Sequence, residues 1–314
     1  MSKKPKTTRP KKFEQYAASV SPLYGVKSHK RLADLLGWKG TTGQLRSFSV
    51  RKENFSRYVD RSKPGKERII EAPAKRVKEF QGKLLDLLRR VVLPEYLHSA
   101  RPNRGYLSNS SAHCDADGCT LTMDLDSFYQ SVTTAHVAKF FELTFQCAPD
   151  VAMTMASLLC CDGHLATGSP ASPLVSFWAH RELFDRIAER VVHRQGVFTL
   201  YVDDIAITGR GFGHTDVKWI GRLLRAEGLS LKETKTRVFR AEKAKVVTGR
   251  AFRNGVSRAP NKQHLKMRDA ALALHRNPTD ATLKASLAGR KRHVALLDQS
   301  LREVLRAGAK ELVK

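Results

Sequence analysis

Asp203 and Asp204 stand side by side in the run Thr199-Leu200-Tyr201-Val202-Asp203-Asp204-Ile205-Ala206-Ile207-Thr208, between apolar segments that read as the two arms of a β-hairpin. Adjacent carboxylates at a hairpin tip raise each other's pKa unless a cation neutralises them. The pair is therefore either a divalent-metal seat, which implies phosphate chemistry, or a solvated turn of the kind aspartate often forms. A third carboxylate favours the first reading. In Leu121-Thr122-Met123-Asp124 the strand alternation sets Leu121 and Met123 on one face and Thr122 and Asp124 on the other, so Asp124 is expected to leave the core side. A third carboxylate from a separate strand is what a two-metal site needs, since its ions sit roughly 3.5–4 Å apart and must be bridged while leaving room for substrate oxygens. Asp126 is read as a solvated or structural carboxylate.

Composition points the same way. The 314 residues hold 56 Lys and Arg against 30 Asp and Glu, a formal charge of +26, and the partner expected for such a chain is a polyanion. No apolar run approaches ~18 residues, and residues 1–12 lack the apolar stretch of a secretory signal, so a soluble, intracellular protein without a membrane partner is expected. Five cysteines, Cys114, Cys119, Cys147, Cys160 and Cys161, are an odd count in a chain large enough to build its core without disulfides, and most are read as reduced.

The elements that must carry these carboxylates follow from periodicity. A basic arm covers residues 1–12, where disorder is expected. Short apolar spacing predicts a helix from His29 to Gly37, and a stronger pattern predicts one from Val77 to Leu93. Strands are predicted at Thr120 to Asp124, Phe198 to Val202 and Ile205 to Thr208, and helices at Ala135 to Phe145, Pro173 to Arg194 and Asp216 to Glu227. Asn254-Gly255 predicts a tight hairpin turn within residues 250–258. Beyond Pro260 the chain reads as helical and basic. Strands and helices interleave, so the fold class is α+β or α/β.

Several segments then resemble, in the required order, the motifs of reverse transcriptases. Asp124-Leu125-Asp126-Ser127-Phe128-Tyr129 is similar to their first catalytic motif and Tyr201-Val202-Asp203-Asp204 to their second. Gly65 to Pro73 resembles the fingers segment whose arginine, here Arg68, binds the triphosphate. Leu165-Ala166-Thr167-Gly168-Ser169-Pro170-Ala171-Ser172-Pro173 resembles the nucleotide loop, with Ala166 and Thr167 in place of the usual Pro-Gln. Gly168 is expected to let the backbone approach substrate closely. Gly228 to Arg237 resembles the block after the catalytic hairpin, which places Lys235 near the β,γ-phosphates, with Lys232 a nearby alternative.

Two further patterns narrow the resemblance to retron reverse transcriptases: Asn109-Ser110-Ser111-Ala112-His113 and Val247-Thr248-Gly249. The resemblance implies an α+β right-hand polymerase with an antiparallel palm sheet and a helical thumb. Its parts would be a basic arm at 1–12, N-terminal helices and fingers at 13–119, a palm at 120–249 and a basic RNA-binding thumb at 250–314. It implies two Mg²⁺ ions on Asp124, Asp203, Asp204 and the Leu125 carbonyl, Lys235 as catalytic acid, and a nucleotide site of Arg68, Tyr129, Gly168 and Ser169, with Tyr129 as the gate against a 2′-hydroxyl. RNA contacts would involve Asn109, His113, Val247, Thr248, Gly249, Arg290, Lys291 and Arg292. The implied activity copies a cognate noncoding RNA into multicopy single-stranded DNA from deoxynucleoside triphosphates, primed by an RNA 2′-hydroxyl, in the bacterial cytoplasm. A role in anti-phage defence with a separately encoded effector protein belongs to the same resemblance. The competing readings are an inactive RNA-binding scaffold that restrains an effector, and an intron-encoded or diversity-generating reverse transcriptase.

Overall fold

The computed structural model describes residues 15–63 and 65–298. The arm at 1–12 and the basic residues Arg302, Arg306, Lys310 and Lys314 lie outside the described residues. Along the chain the elements are α1 (His29–Leu36), α2 (Thr42–Ser49), β1 (Phe55–Lys63), β2 (Lys66–Pro73), α3 (Lys75–Arg89), α4 (Tyr106–Ser111), β3 (Cys119–Asp124) and α5 (Phe128–Ser131). They continue as α6 (Thr134–Phe145), α7 (Pro149–Leu159), β4 (Cys160–Cys161), β5 (His164–Leu165), α8 (Ser172–Ala179), α9 (Arg181–His193), β6 (Val197–Tyr201) and β7 (Asp204–Gly209). The last are α10 (His214–Ala226), β8 (Arg237–Phe239), β9 (Lys245–Val247), β10 (Arg250–Arg253), β11 (Val256–Arg258), α11 (Asn261–Arg276) and α12 (Ala281–Leu297). Helices and antiparallel strands make an α+β chain of two compact units, Met1–Pro94 with Tyr129–Ala179 and Glu95–Phe128 with His180–Lys314.

In the first unit, helix ends follow local chemistry. Ser28 caps α1 by accepting from the Arg31 amide, and Gly37 closes it at φ 63°, a value glycine adopts without strain. Helix α3 buries Val77, Phe80, Leu84, Leu85 and Leu88, as its spacing predicts, but it stops at Arg89 rather than Leu93. Pro94 disfavours helix at the residue before it, and the chain instead turns extended, with Tyr16 and Val91 forming a bridge. The core is aromatic: Phe140 stacks on Trp178 at 5.7 Å, with Phe141, Phe145 and Phe177 packed around them.

The second unit is built on a four-stranded antiparallel sheet in the order β6-β7-β3-β8. Leu121 and Met123 of β3, Leu200 of β6 and Ile205 and Ile207 of β7 form its buried face, and α9 adds Leu183, Phe184, Ile187 and Val191. The predicted single helix from Pro173 to Arg194 is two helices, broken at His180, where φ −124° and ψ 24° leave the helical region. No glycine or proline marks that break. Leu121 and Met123 of β3 face the apolar core, while Thr122 and Asp124 lie on the other face and line a cavity, although Asp124 is only 7% exposed and Thr120 is fully buried. A second sheet, β11-β10-β9, carries the predicted turn at Asn254-Gly255, both residues at positive φ, and α11 and α12 pack on each other beyond it. Among the described residues no helix is long and apolar enough to cross a membrane.

Behind the β6–β7 hairpin sits His113, fully buried, with Nδ1 at 2.9 Å from Thr208 Oγ1 and Nε2 at 2.8 Å from Thr199 Oγ1. Burial first, and the Lys245 charge second, push its pKa down to about 3, so the ring is neutral at pH 7. Because its folded pKa lies below the ordinary 6.5, its contribution to stability is complete above pH 6.5 and is lost as pH falls toward 3. Replacing His113 with glutamine should therefore flatten the acid limb of a thermal-denaturation profile between pH 6.5 and 4, while the unaltered protein loses stability steadily across that range.

Candidate active site

Strand register brings the three aspartates together. Asp124 lies directly opposite Asp204 across β3 and β7, and Tyr201 lies opposite Asp204 across β6 and β7, which leaves Val202 and Asp203 as a two-residue turn. One carboxylate oxygen from each of Asp124, Asp203 and Asp204 falls within 4.8 Å of the others. The turn is strained, because β-branched Val202 adopts φ 59°, a conformation that costs on the order of 1–3 kcal/mol outside glycine. Hydrogen bonds hold it: the Val202 amide donates to Ser99 Oγ at 3.0 Å and the Leu125 amide to the Asp203 carbonyl at 2.9 Å. Ser99 is itself buried beside β6, where the Leu200 amide donates to the Tyr96 carbonyl.

Electrostatics at the tip follow from this closeness. Burial, then the negative charges of Asp203 and Asp124, push the Asp204 carboxyl up to about 7, with Lys235 acting in the opposite direction. The Lys235 ammonium is 2.6 Å from Asp124 Oδ2, whereas Lys232 pairs at 3.2 Å with the exposed Asp126. Of the two lysines in this block, Lys235 is the one at the aspartates. An all-oxygen set of three carboxylates fits hard divalent ions such as Mg²⁺ and offers none of the nitrogen or sulfur ligands that softer ions prefer.

A cavity of about 410 Å³ opens beside the triad. Asp124, Asp204, Tyr201 and Lys235 line one part, and Tyr106, Asn109 and the Val247-Thr248-Gly249 turn line another. Asn109 and the β9–β10 turn, 138 and more residues apart in sequence, thus share one wall. Thr248 and Gly249 both take positive φ, 42° and 79°, in the tight turn between paired Val247 and Arg250. Thr248 Oγ1 donates to the Tyr106 carbonyl at 2.9 Å and accepts from Asn109 Nδ2 at 3.3 Å. The side chains of Asn109, His113 and Val247 are buried, so these positions shape the wall and its supports, and His113 does not reach the cavity lining at all.

The remaining predicted nucleotide residues belong to the first unit. Arg68 is exposed on β2, opposite Asp60 of β1, and Tyr129 is half-buried in α5. Gly168 and Ser169 lie in a loop fastened to β2. The Thr167 hydroxyl accepts from the Glu71 amide at 2.9 Å and donates to the Ile69 carbonyl at 3.2 Å, and the Gly168 amide donates to the Glu71 carbonyl at 3.1 Å. The Glu71 carboxylate, only 3% exposed, also accepts from Arg57 and His164, each at 3.0 Å. A Cβ at Gly168 would stand 2.5 Å from the Glu71 carbonyl oxygen, so the missing side chain lets the loop lie close against β2. Ser169 is buried, its Oγ accepting from the Ala171 amide at 3.2 Å, which directs it into the loop rather than outward. Gly168→Ala should cost about 1–3 kcal/mol through overpacking against backbone, read as a lowered denaturation midpoint.

Arg290, Lys291 and Arg292 lie on α12. Lys291 and Arg292 are exposed, while Arg290 and Lys266 line a groove of about 300 Å³ between α11 and α12. Sequence reasoning missed Ser99, Thr199, Thr208 and Tyr106. Their roles are contacts over long chain separations, for which no local pattern exists. Arg237, two residues from Lys235 and on the cavity lining, stood within the block already singled out and was passed over.

No family model matches the chain. Among the curated proteins similar to it are two that are reverse transcriptases by name. The Retron Se72 reverse transcriptase of Salmonella heidelberg (strain 579083-10) is 23% identical over 251 residues, covering 76% of this chain and 62% of the relative. The Retron Mx65 reverse transcriptase of Myxococcus xanthus is 26% identical over 253 residues, covering 72% of this chain and 59% of the relative. By these matches the chain is similar to retron reverse transcriptases. It matches only about three fifths of the length of either one.

Proposed function

We propose that this protein is the RNA-directed DNA polymerase of a retron, with fingers, palm and thumb arranged as a right hand. The observation that carries the proposal is the convergence of Asp124, Asp203 and Asp204 within 4.8 Å at the rim of a cavity that also holds Lys235. In this reading Asp124, Asp203 and Asp204, with the Leu125 carbonyl, hold two Mg²⁺ ions. When bound, the ions lower the pKa of the attacking hydroxyl and neutralise charge on the triphosphate. Arg68 grips triphosphate oxygens through its planar fork, and Tyr129 excludes a 2′-hydroxyl from the incoming sugar. Lys235 delivers a proton to the departing pyrophosphate. Gly168 and Ser169 act by holding the nucleotide loop against β2.

The RNA partner is a structured noncoding transcript. Asn109, His113, Val247, Thr248 and Gly249 shape and support the wall that meets it, and Arg290, Lys291 and Arg292 contact its phosphates, in keeping with recognition by shape and backbone. The product is multicopy single-stranded DNA primed from an RNA 2′-hydroxyl, made in the bacterial cytoplasm and used in anti-phage defence with a separate effector protein. Purified protein supplied with the RNA that accompanies it, Mg²⁺ and deoxynucleoside triphosphates is expected to yield DNA covalently joined to that RNA. Tight RNA binding without any incorporation would favour the scaffold reading, and equal use of unrelated RNA would favour a non-retron reverse transcriptase.

A further inference from the structure

Asn109 carries a hydrogen-bonding capacity that the fold leaves unspent. Its side chain is fully buried and lies on the cavity wall, and among the described residues its Oδ1 atom has no partner. Which end of the amide is left without a partner is settled by Thr248. A threonine hydroxyl has one proton, and that proton goes to the Tyr106 carbonyl at 2.9 Å. Only lone pairs remain for the contact with Asn109, so the amide nitrogen must turn toward Thr248, at 3.3 Å, and the oxygen away from it. A buried acceptor left without a donor costs about 1–3 kcal/mol, so the arrangement suits a ligand that brings one.

The chemistry of that ligand is restricted. Phosphate oxygens only accept, so neither a backbone phosphate nor a triphosphate can satisfy Oδ1. A nucleoside can, through a sugar hydroxyl or a base N–H. The same cavity is bounded by Asp124 and Asp204, where the attacking hydroxyl has to lie, and its volume of about 410 Å³ falls in the range that small-molecule sites occupy. We infer that Asn109 is a specificity-determining residue whose Oδ1 accepts a hydrogen bond from a sugar hydroxyl or base N–H of the nucleotide that bears the attacking hydroxyl. This rests on the polymerase reading above and adds to it a named atom, a required donor and a position in the primer rather than in the incoming nucleotide.

The test is single-nucleotide incorporation by the full chain on an RNA template, with annealed primers whose last nucleotide lacks one donor at a time. A ribose end is compared with a deoxyribose end, and guanine with hypoxanthine, which lacks the 2-amino donor but still pairs with cytosine. Wild-type protein should lose about 10-fold in rate or primer affinity for one of these deletions, and the primer that shows the loss identifies the source of the donor. Asn109→Ala should be slower by a similar factor on the intact primer and insensitive to that deletion, with KM for the incoming nucleotide unchanged. Thr248→Val, which releases the amide from its fixed orientation, should weaken the same discrimination. Wild-type indifference to every deletion overturns the inference without recourse to a variant. Equal losses in wild type and Asn109→Ala overturn it too, since they make Asn109 merely structural. Wild-type protein inert on every primer defeats the polymerase reading itself, and the inference falls with it.

Discussion

Asp203→Asn and Asp204→Asn are each expected to lower deoxynucleotide incorporation by at least about 10³-fold, since divalent ions supply several kcal/mol of transition-state stabilisation and each 1.36 kcal/mol is tenfold. Asp126→Asn is the control: its carboxylate is exposed and, among the described residues, paired with Lys232 alone, so a change within about twofold is expected. Asp204→Asn carries a second signature. With its folded pKa at about 7, above the ordinary 3.8, Asp204 contributes stability below pH 4 that is lost as pH rises through 7. In metal-free protein Asp204→Asn should therefore gain about 1–3 kcal/mol at pH 8, after allowance for its partial exposure, and nothing near pH 4. Mg²⁺ should raise the melting temperature of wild type at pH 8 and leave the variant unmoved. A variant that lost activity without this gain would place the defect in folding rather than in ion binding.

Lys235→Met should reduce the rate by about 10²- to 10⁴-fold, the range typical of a positioned general acid, whereas Lys232→Met should change it less than about threefold, as for an exposed ion pair. The distinction comes from geometry, because the two lysines differ by three positions yet only Lys235 reaches Asp124. Proton delivery can be separated from charge neutralisation by the leaving group. A β,γ-difluoromethylene triphosphate departs as a less basic anion and needs protonation less, so it should narrow the gap between Lys235→Met and wild type. An unchanged gap would assign Lys235 to holding Asp124 alone.

The carboxylates were legible from the sequence because strand pairing is local around a two-residue turn: apolar runs on both sides of Asp203 and Asp204 fix the register that places Asp204 opposite Tyr201. Helix α1 was legible for a similar reason, since Ser28 and Gly37 each signal an end within a few residues. What escaped depends on distance along the chain. The central place of β3 in its sheet needs β8, whose partner residues lie more than 100 positions away, and the close packing at Gly168 depends on Glu71, 97 positions earlier. His113 was expected among the RNA contacts through the resemblance alone, and nothing nearby announces two threonine hydroxyls from separate strands closing on both ring nitrogens. The break at His180 has no residue-level signal, and we have no physical account of it.

The fastening of the loop at Thr167 and Gly168 to Glu71 has a mechanical consequence. Six polar contacts, spread over Arg57, Ile69, Glu71, His164, Thr167 and Gly168, leave no joint between the strand that bears Arg68 and the loop beside it. If this region swings when substrate arrives, strand and loop must travel as one rigid lever, with the pivot at some other point of the chain. A loop transplanted from a polymerase with Pro-Gln in place of Ala166-Thr167 would bring no hydroxyl to the Ile69 carbonyl or the Glu71 amide, and the lever would be less stiff in its middle.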